Sequence, residues 1–219
     1  MIEAIIFDFD GVLCESVDLK TRAFAEIYQP YGNDVQIKVV NHHSSNTGIS
    51  RFEKFRFYHK KFLGIDLSNA ELNNMADQFS KLVMQKVIEA PYVRGAYEFL
   101  SNYHSFYDFY VSTATPETEI TQILERKNLN QFFKGVYGSP DSKNEHIKKI
   151  IKFNEYKPHH VVFIGDSFSD RQAAINNSIR FIARVVEEDS KLNDTKVKIT
   201  DMFQLDEVIE KLPSLRKLD

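Results

Sequence analysis

The stretch Ile5-Ile6-Phe7-Asp8-Phe9-Asp10-Gly11-Val12-Leu13 is an apolar run that ends in two acids and a glycine. Ala4 to Phe9 is short and almost wholly apolar, as expected of a strand buried on both faces of a parallel sheet. Residues two apart on a strand share a face, so Asp8 and Asp10 point the same way at its carboxyl end. Open α/β sheets bind their ligands at that end. Two ionised carboxylates side by side repel and resist desolvation unless a cation or a proton lies between them. A strand end whose acids simply face water is the plainer reading, and this segment alone leaves both open.

Working outward, three more runs have the same character: Phe109–Ser112, Val161–Ile164 and Phe181–Val185. Helical patterns separate them at Pro116–Asn128, Lys143–Phe153 and Ser169–Asn177, with Thr115 a plausible N-cap and Pro116 at the first helical position. Two short strands and a helix near Asp201–Leu212 complete the series. Alternating strands and helices predict an α/β fold with a doubly wound, mainly parallel sheet. Between the first strand and Phe109 only helical signals occur. Val17–Gln29 is amphipathic and stops at Pro30 and Gly32. Ser50–Leu63 carries Phe52, Phe55 and Phe62 at helical spacing, and Ser68 with Glu71 forms a capping box for a helix running toward Glu89. So long a connection is not a loop. It reads as an inserted α-helical cap domain at 16–90, leaving a core of 1–15 and 91–219, with hinges near Cys14–Val17 and Glu89–Gly95.

A second acidic motif, Gly165-Asp166-Ser167-Phe168-Ser169-Asp170, follows the strand Val161–Ile164. Asp170 has a plain alternative role in capping the next helix, with Asp166 a turn residue. Together the two motifs supply four carboxylates from two strand ends, an oxygen-rich set that suits Mg²⁺. Lys143 lies in the first turn of a helix, the wrong end of the dipole for a cation. There it is useful if it reaches a phosphate or balances the acids; a solvated surface lysine is the alternative. Thr113 ends a strand, and its hydroxyl can serve a phosphate oxygen if Thr115 supplies the helix cap.

Composition bounds the partners. Lys and Arg total 28 against 31 Asp and Glu, a net charge of −3, which disfavours a general nucleic-acid binder. The single cysteine, Cys14, excludes an intrachain disulfide and a Cys-based zinc site. It points to a reducing compartment. Met1-Ile2-Glu3-Ala4 lacks the basic start of a signal peptide, and no apolar stretch approaches the roughly 18 residues of a spanning helix. A cytoplasmic protein with no membrane or nucleic-acid partner is expected; its oligomeric state is not encoded in any signal we recognise.

In order along the chain, Asp8-Phe9-Asp10-Gly11-Val12-Leu13, Thr113, Lys143 and Gly165-Asp166 with Asp170 resemble the four motifs of the haloacid dehalogenase superfamily. The resemblance spans essentially the whole chain, and the insert resembles that superfamily's helical cap. It implies a phosphatase acting on a small phosphorylated metabolite such as phosphoglycolate or a sugar phosphate. Asp8 would be the nucleophile that takes the phosphoryl group, and Asp10 the general acid and then base. Thr113 and Lys143 would hold phosphate oxygens. Asp8, the Asp10 main-chain carbonyl and Asp166 would ligate Mg²⁺, with Asp170 in support. The dehalogenase branch lacks an acid two residues after the nucleophile, so its chemistry is disfavoured.

Other readings remain beside this one. Gly48-Ile49-Ser50-Arg51 resembles a cap segment of the β-phosphoglucomutase branch, which implies that Arg51 meets an anionic substrate. That branch also places a histidine where this chain has Lys20, a departure that favours hydrolysis over a sugar phosphomutase. A catalytically idle regulatory module is the alternative of another class. The basic and aromatic run Arg51–Lys61 reads as a cap helix burying its aromatic face rather than as a nucleic-acid site. His42 and His43, in a polar stretch just before it, read as surface residues, with a place lining the cap's mouth as the alternative, and Cys14 as a small packed residue with no sign of reactivity.

Overall fold

In the computed structural model, which describes residues 1–186 and 190–212, β1 (Ala4–Phe7) is followed by α1 (Val17–Tyr28), α2 (Asn33–Ser44), α3 (Arg51–Tyr58) and α4 (Asn69–Glu89). The chain then returns through α5 (Ala96–Tyr103) to β2 (Asp108–Pro116), α6 (Glu117–Arg126), β3 (Gly135–Ser139) and α7 (Lys143–Asn154). It finishes with β4 (Val161–Gly165), α8 (Phe168–Asn176), β5 (Arg180–Arg184), β6 (Lys198–Ile199) and α9 (Leu205–Lys211). Residues 187–189 and 213–219 of the expected core lie outside the described residues.

The strands form one parallel sheet in the order β3-β2-β1-β4-β5-β6. β1 sits between β2 and β4, with Phe7 beside both Val111 and Ile164. The chain winds outward through β2 and β3, then crosses back to β4 on the other side. The switch point therefore falls between the carboxyl ends of β1 and β4, where such sheets have a natural crevice. Period-two alternation feeds two layers. Ile5 and Phe7 pack with Phe99, Phe109 and Ile120 on one face. Ala4 and Ile6 pack with Ile147, Ile150 and Phe163 on the other. Phe7 alone meets the edges of Phe99 and Phe109 at 6.2 and 5.3 Å between ring centres.

The inserted helices bury their own aromatic seam of Phe24, Tyr28, Phe55, Tyr58 and Phe79, continuous with the sheet's first layer. The Ser68–Glu71 capping box starts α4 as the spacing predicts. Leaving and returning chains lie side by side: Glu15 N–H donates to the Pro91 carbonyl at 3.0 Å and Val93 N–H to the Leu13 carbonyl at 3.1 Å.

Two elements escape the sequence pattern. β3 is short and includes Gly135 and Gly138 among its five residues, and its pairing to β2 is what makes it a strand. α2 carries only a thin apolar row, Val35 and Val39 one turn apart, with His43 occupying the next turn. That row faces the seam, so His43 is 3% exposed, its ring tilted against Phe24 at 4.7 Å, which corrects the expectation of a surface histidine. His42 is only half-buried, against Phe57 and Tyr58.

His146 on α7 is also buried, bonding through Nδ1 to Ser112 Oγ at 2.9 Å and through Nε2 to the Gly138 carbonyl at 3.2 Å. Burial pushes its pKa down from 6.5 to about 4, despite the opposing pull of the Gly138 carbonyl. Below pH 6.5 the unfolded chain takes up a proton that the folded chain refuses, so stability falls as pH drops from 6.5 toward 4. The loss amounts to roughly 3 kcal/mol for this residue. Urea melts of the wild type and His146→Gln across that window should show a shallower pH slope in the variant; equal slopes would exclude His146 as the source.

Candidate active site

Asp8 follows the last residue of β1 and Asp166 the last residue of β4, so the switch point brings the two acids together. Gly11 makes the approach possible. Its φ of +73° suits glycine, and a Cβ there would lie 2.2 Å from Asp166 Oδ2. Asp170 serves twice. In a capping box its Oδ2 accepts from Ser167 N–H at 3.0 Å and Ser167 Oγ–H at 2.6 Å, which starts α8. Its Oδ1 accepts from Lys143. Lys143, 7% exposed, reaches across to donate to Asp8 Oδ2 at 2.7 Å as well. The lysine at the wrong end of a helix is thus the counter-ion of the acid cluster.

The electrostatics of this cluster are unbalanced. Burial would lower the Lys143 pKa, but Asp170 and Asp8 outweigh it and hold the ammonium protonated. Burial raises the Asp8 carboxyl to about 7 against the pull of Lys143, with Asp170 and Asp10 adding repulsion. Burial, then repulsion from Asp8 and Asp170, also raises Asp166 far above the carboxylate range. Oxygen atoms of Asp8, Asp166 and Asp170 lie within 4.8 Å of one another. One ammonium cannot neutralise three carboxylates. An oxygen-only donor set with surplus negative charge fits a hard divalent cation such as Mg²⁺.

Asp10 faces a different environment. Its carboxylate accepts from Ser16 Oγ–H at 2.6 Å, from Thr115 Oγ1–H at 3.2 Å and from the Lys20 ammonium. Burial pushes its pKa upward, but Lys20 and the hydroxyls prevail and hold it below the usual range. The two acids of the opening motif are therefore driven apart in acidity, which is a pattern of paired catalytic carboxylates. Thr115 corrects an expectation, since its hydroxyl also accepts from Lys20 at 2.7 Å and does not cap a helix. Pro116 occupies the N-cap position of α6 without a side-chain bond. Thr113 Oγ1 accepts from Thr115 N–H at 3.2 Å, which leaves its own proton available.

The helical insert supplies the rest of the pocket wall, including Lys20, His43, Gly48, Arg51 and Lys54 opposite Asp8, Asp10, Thr113, Lys143 and Asp166. Gly48 sits so close to the core that a Cβ would lie 2.1 Å from Ser169 Oγ and 2.3 Å from Ser167 Oγ. Arg51 lines the pocket but is not a free cation. Its guanidinium clasps Glu119 of α6 at 2.7 and 3.0 Å and Ser80 at 2.7 Å, over the ring of Phe79. From its place in the pocket wall it ties insert to core. Lys54 and Glu119 were missed in the sequence. The only signal for Lys54 was its place one turn after Arg51, on the face that also holds Phe55 and Tyr58. Cys14 is packed as expected, its thiol pushed up by burial to about 11.

The family pattern described as haloacid dehalogenase-like hydrolase matches residues 5–184. A phosphorylated carbohydrates phosphatase of Thermotoga maritima is 27% identical over 208 residues, covering 89% of each chain. Among solved structures, β-phosphoglucomutase from Clostridium difficile superposes with a TM-score of 0.80 at 20% identity, over 98% of both chains. A haloacid dehalogenase-like hydrolase from Streptococcus pneumoniae gives 0.70 at 21% identity, over 98% of this chain and 99% of its own. The two structural likenesses speak to the fold. No helix among the described residues is long and apolar enough to cross a membrane.

Because Lys143 is, among the described residues, the one cation paired with this acid cluster, Lys143→Met should cost about 3–5 kcal/mol of stability. Calorimetry in Mg²⁺ should recover part of that loss by binding linkage. An unchanged melting temperature without metal would show that the acids do not depend on this lysine.

Proposed function

Since the chain belongs to the haloacid dehalogenase-like hydrolases, we propose that it is a Mg²⁺-dependent phosphatase of small, soluble phosphomonoesters that works through an aspartyl-phosphate. The observation that supports this reading best is Asp8 itself: a carboxylate in the pocket floor, held by Lys143 and set in a carboxylate cluster short of positive charge. The relative from Thermotoga maritima favours phosphorylated carbohydrates as the substrate class.

Mg²⁺ held by Asp8, Asp166 and the Asp10 main-chain carbonyl, with Asp170 in support, would offset the charge of the phosphoryl group and favour the ionised nucleophile. Lys143 and the Thr113 hydroxyl then hold phosphoryl oxygens while an Asp8 oxygen attacks phosphorus and the bond to the leaving oxygen breaks. Asp10 takes up a proton before this step, against the pull of Lys20, and passes it to that leaving oxygen. In the second half Asp10 takes a proton from water as the water attacks phosphorus, and Asp8 is released. Splitting the displacement in two avoids one difficult direct hydrolysis. Lys20 favours the hydrolytic outcome over a phosphomutase, because the pair keeps Asp10 ready as a base. A sugar bisphosphate assay with product analysis separates the two chemistries.

Residues 16–90 would act as a cap that closes over this chemistry and excludes water, pivoting on the paired segments near Cys14–Val17 and Glu89–Gly95. Gly48→Ala places a methyl against Ser167 and Ser169 and should hold the cap ajar. Its kcat/KM should fall on the order of 10²-fold, with little change in melting temperature. Wild-type efficiency in the variant would mean that this contact does not seat the cap.

Asp8→Asn should abolish release of phosphate from an aryl phosphate while leaving the fold intact, since the amide removes the nucleophile but little volume. Chelator should silence the wild type, and Mg²⁺ should restore it. Substantial turnover by folded Asp8→Asn protein, or by wild-type protein shown by elemental analysis to be metal-free, rules the mechanism out. A wild type inert toward every phosphomonoester tried would favour the regulatory module.

A further inference from the structure

Four cations line the pocket, and three are matched by acids: Lys20 by Asp10, Lys143 by Asp8 and Asp170, and Arg51 by Glu119. Lys54 is not. It is 1% exposed on α3, and no carboxylate among the described residues lies within ion-pair distance of it. Its Nζ donates to His43 Nδ1 at 2.7 Å and more distantly to the Thr47 carbonyl at 3.4 Å, and it stands 5.5 Å from the ring centre of Phe24. An ammonium has three donors and no acceptor, so one N–H remains unused.

His43 is the complementary half. Because Nδ1 accepts from Lys54, its ring proton belongs on Nε2. That Nε2 is buried and has no hydrogen-bond partner. Burial and then the Lys54 charge hold the imidazole neutral, well below its ordinary pKa. Burial, followed by repulsion from Lys20, brings the Lys54 pKa down to about 7. Lys54 and His43 line the same pocket as Asp8, on its insert side. The pair offers two unmet donors and no acceptor. Such an arrangement is costly in a protein interior unless an acceptor completes it, and the Lys54 ammonium favours one that is negatively charged.

We propose that Lys54 and His43 form an oxyanion subsite for a second, non-reacting acidic group of the substrate, so that the preferred phosphomonoester carries another negative charge. This rests on the phosphatase reading and narrows its substrate class. A carboxylate and a distal phosphate present the same oxygen acceptors, and the two are separated by experiment. Arg51, already paired with Glu119, supports the wall of this subsite without supplying its charge.

The test compares kcat/KM within matched pairs in Mg²⁺: phosphoglycolate against hydroxyethyl phosphate, and a hexose bisphosphate against the hexose monophosphate. The wild type should favour the doubly acidic member of at least one pair by about 10- to 100-fold, the range for a lost charged hydrogen bond. Which pair discriminates identifies the tail as carboxylate or phosphate. Lys54→Met should collapse that ratio, chiefly through KM, and Lys54→Arg should restore part of it. Removing an unpaired buried charge should leave the melting temperature level or higher. If Lys54→Met melts far below the wild type, the ratio is read on His43→Phe, where it should also shrink. Active wild-type enzyme without preference in either pair, or a preference that survives in folded variants, overturns the subsite. An absence of Mg²⁺-dependent turnover on all four esters and on an aryl phosphate instead removes the phosphatase reading beneath it.

Discussion

Everything around the pocket answers to one constraint: three carboxylates, those of Asp8, Asp166 and Asp170, crowd together where the sheet's winding reverses. Such a cluster is unstable in a dry interior without positive charge. Lys143 supplies one unit, from a helix start that would otherwise disfavour it. The capping box of α8 helps hold Asp170, and Gly11 keeps the first strand's exit clear of Asp166. What remains is a deficit of cation at the point where a phosphoryl group would need one. Burial acts on both neighbouring acids, but Lys143 is shared between Asp8 and Asp170, whereas Lys20 and two hydroxyls serve Asp10. Asp8 is pushed toward neutrality by its surroundings, while Asp10, beside Lys20, is held ionised.

The insert contributes through charge placement rather than through a single binding group. Lys20 is committed to Asp10 and Arg51 to Glu119, so two of the insert's cations are already paired with carboxylates of the core. The contact of Gly48 with Ser167 and Ser169 leaves no room for a side chain, so insert and core meet backbone against hydroxyl at that point. Lys54 and His43 stand apart from these pairings. The pocket thus has two polar poles, an acidic floor that calls for a cation and a donor-only roof that calls for an anion. A substrate with charge at both ends matches that layout better than a neutral alcohol phosphate does.

Much was legible before any coordinates. The apolar run ending in Asp8 and Asp10, the strand ending in Gly165-Asp166, and the helical gap between them sufficed for a doubly wound sheet with a helical insert. That is because burial on both faces of a strand and capping of a helix leave short-range patterns. Asp8, Asp10, Lys143, Asp166 and Asp170 lie at or beside the ends of such elements and Thr113 within β2, and it was the ordered resemblance to a family's motifs that singled them out together. α2 and β3 could not be read this way. One has too thin an apolar row and the other too many glycines, and each is formed by what it packs against.

Tertiary structure alone decided who partners whom. Arg51 finds its partner in Glu119, 68 residues away. His43 looked polar and exposed until the seam of Phe24 and Phe55 covered its helix. Thr115 looked like a cap until Asp10 and Lys20 claimed its hydroxyl. Sequence determines which groups are available and which elements carry them, because propensity and periodicity are local. Acidity, pairing and the unmet donors of Lys54 and His43 depend on distances across the fold, and only packing determines those.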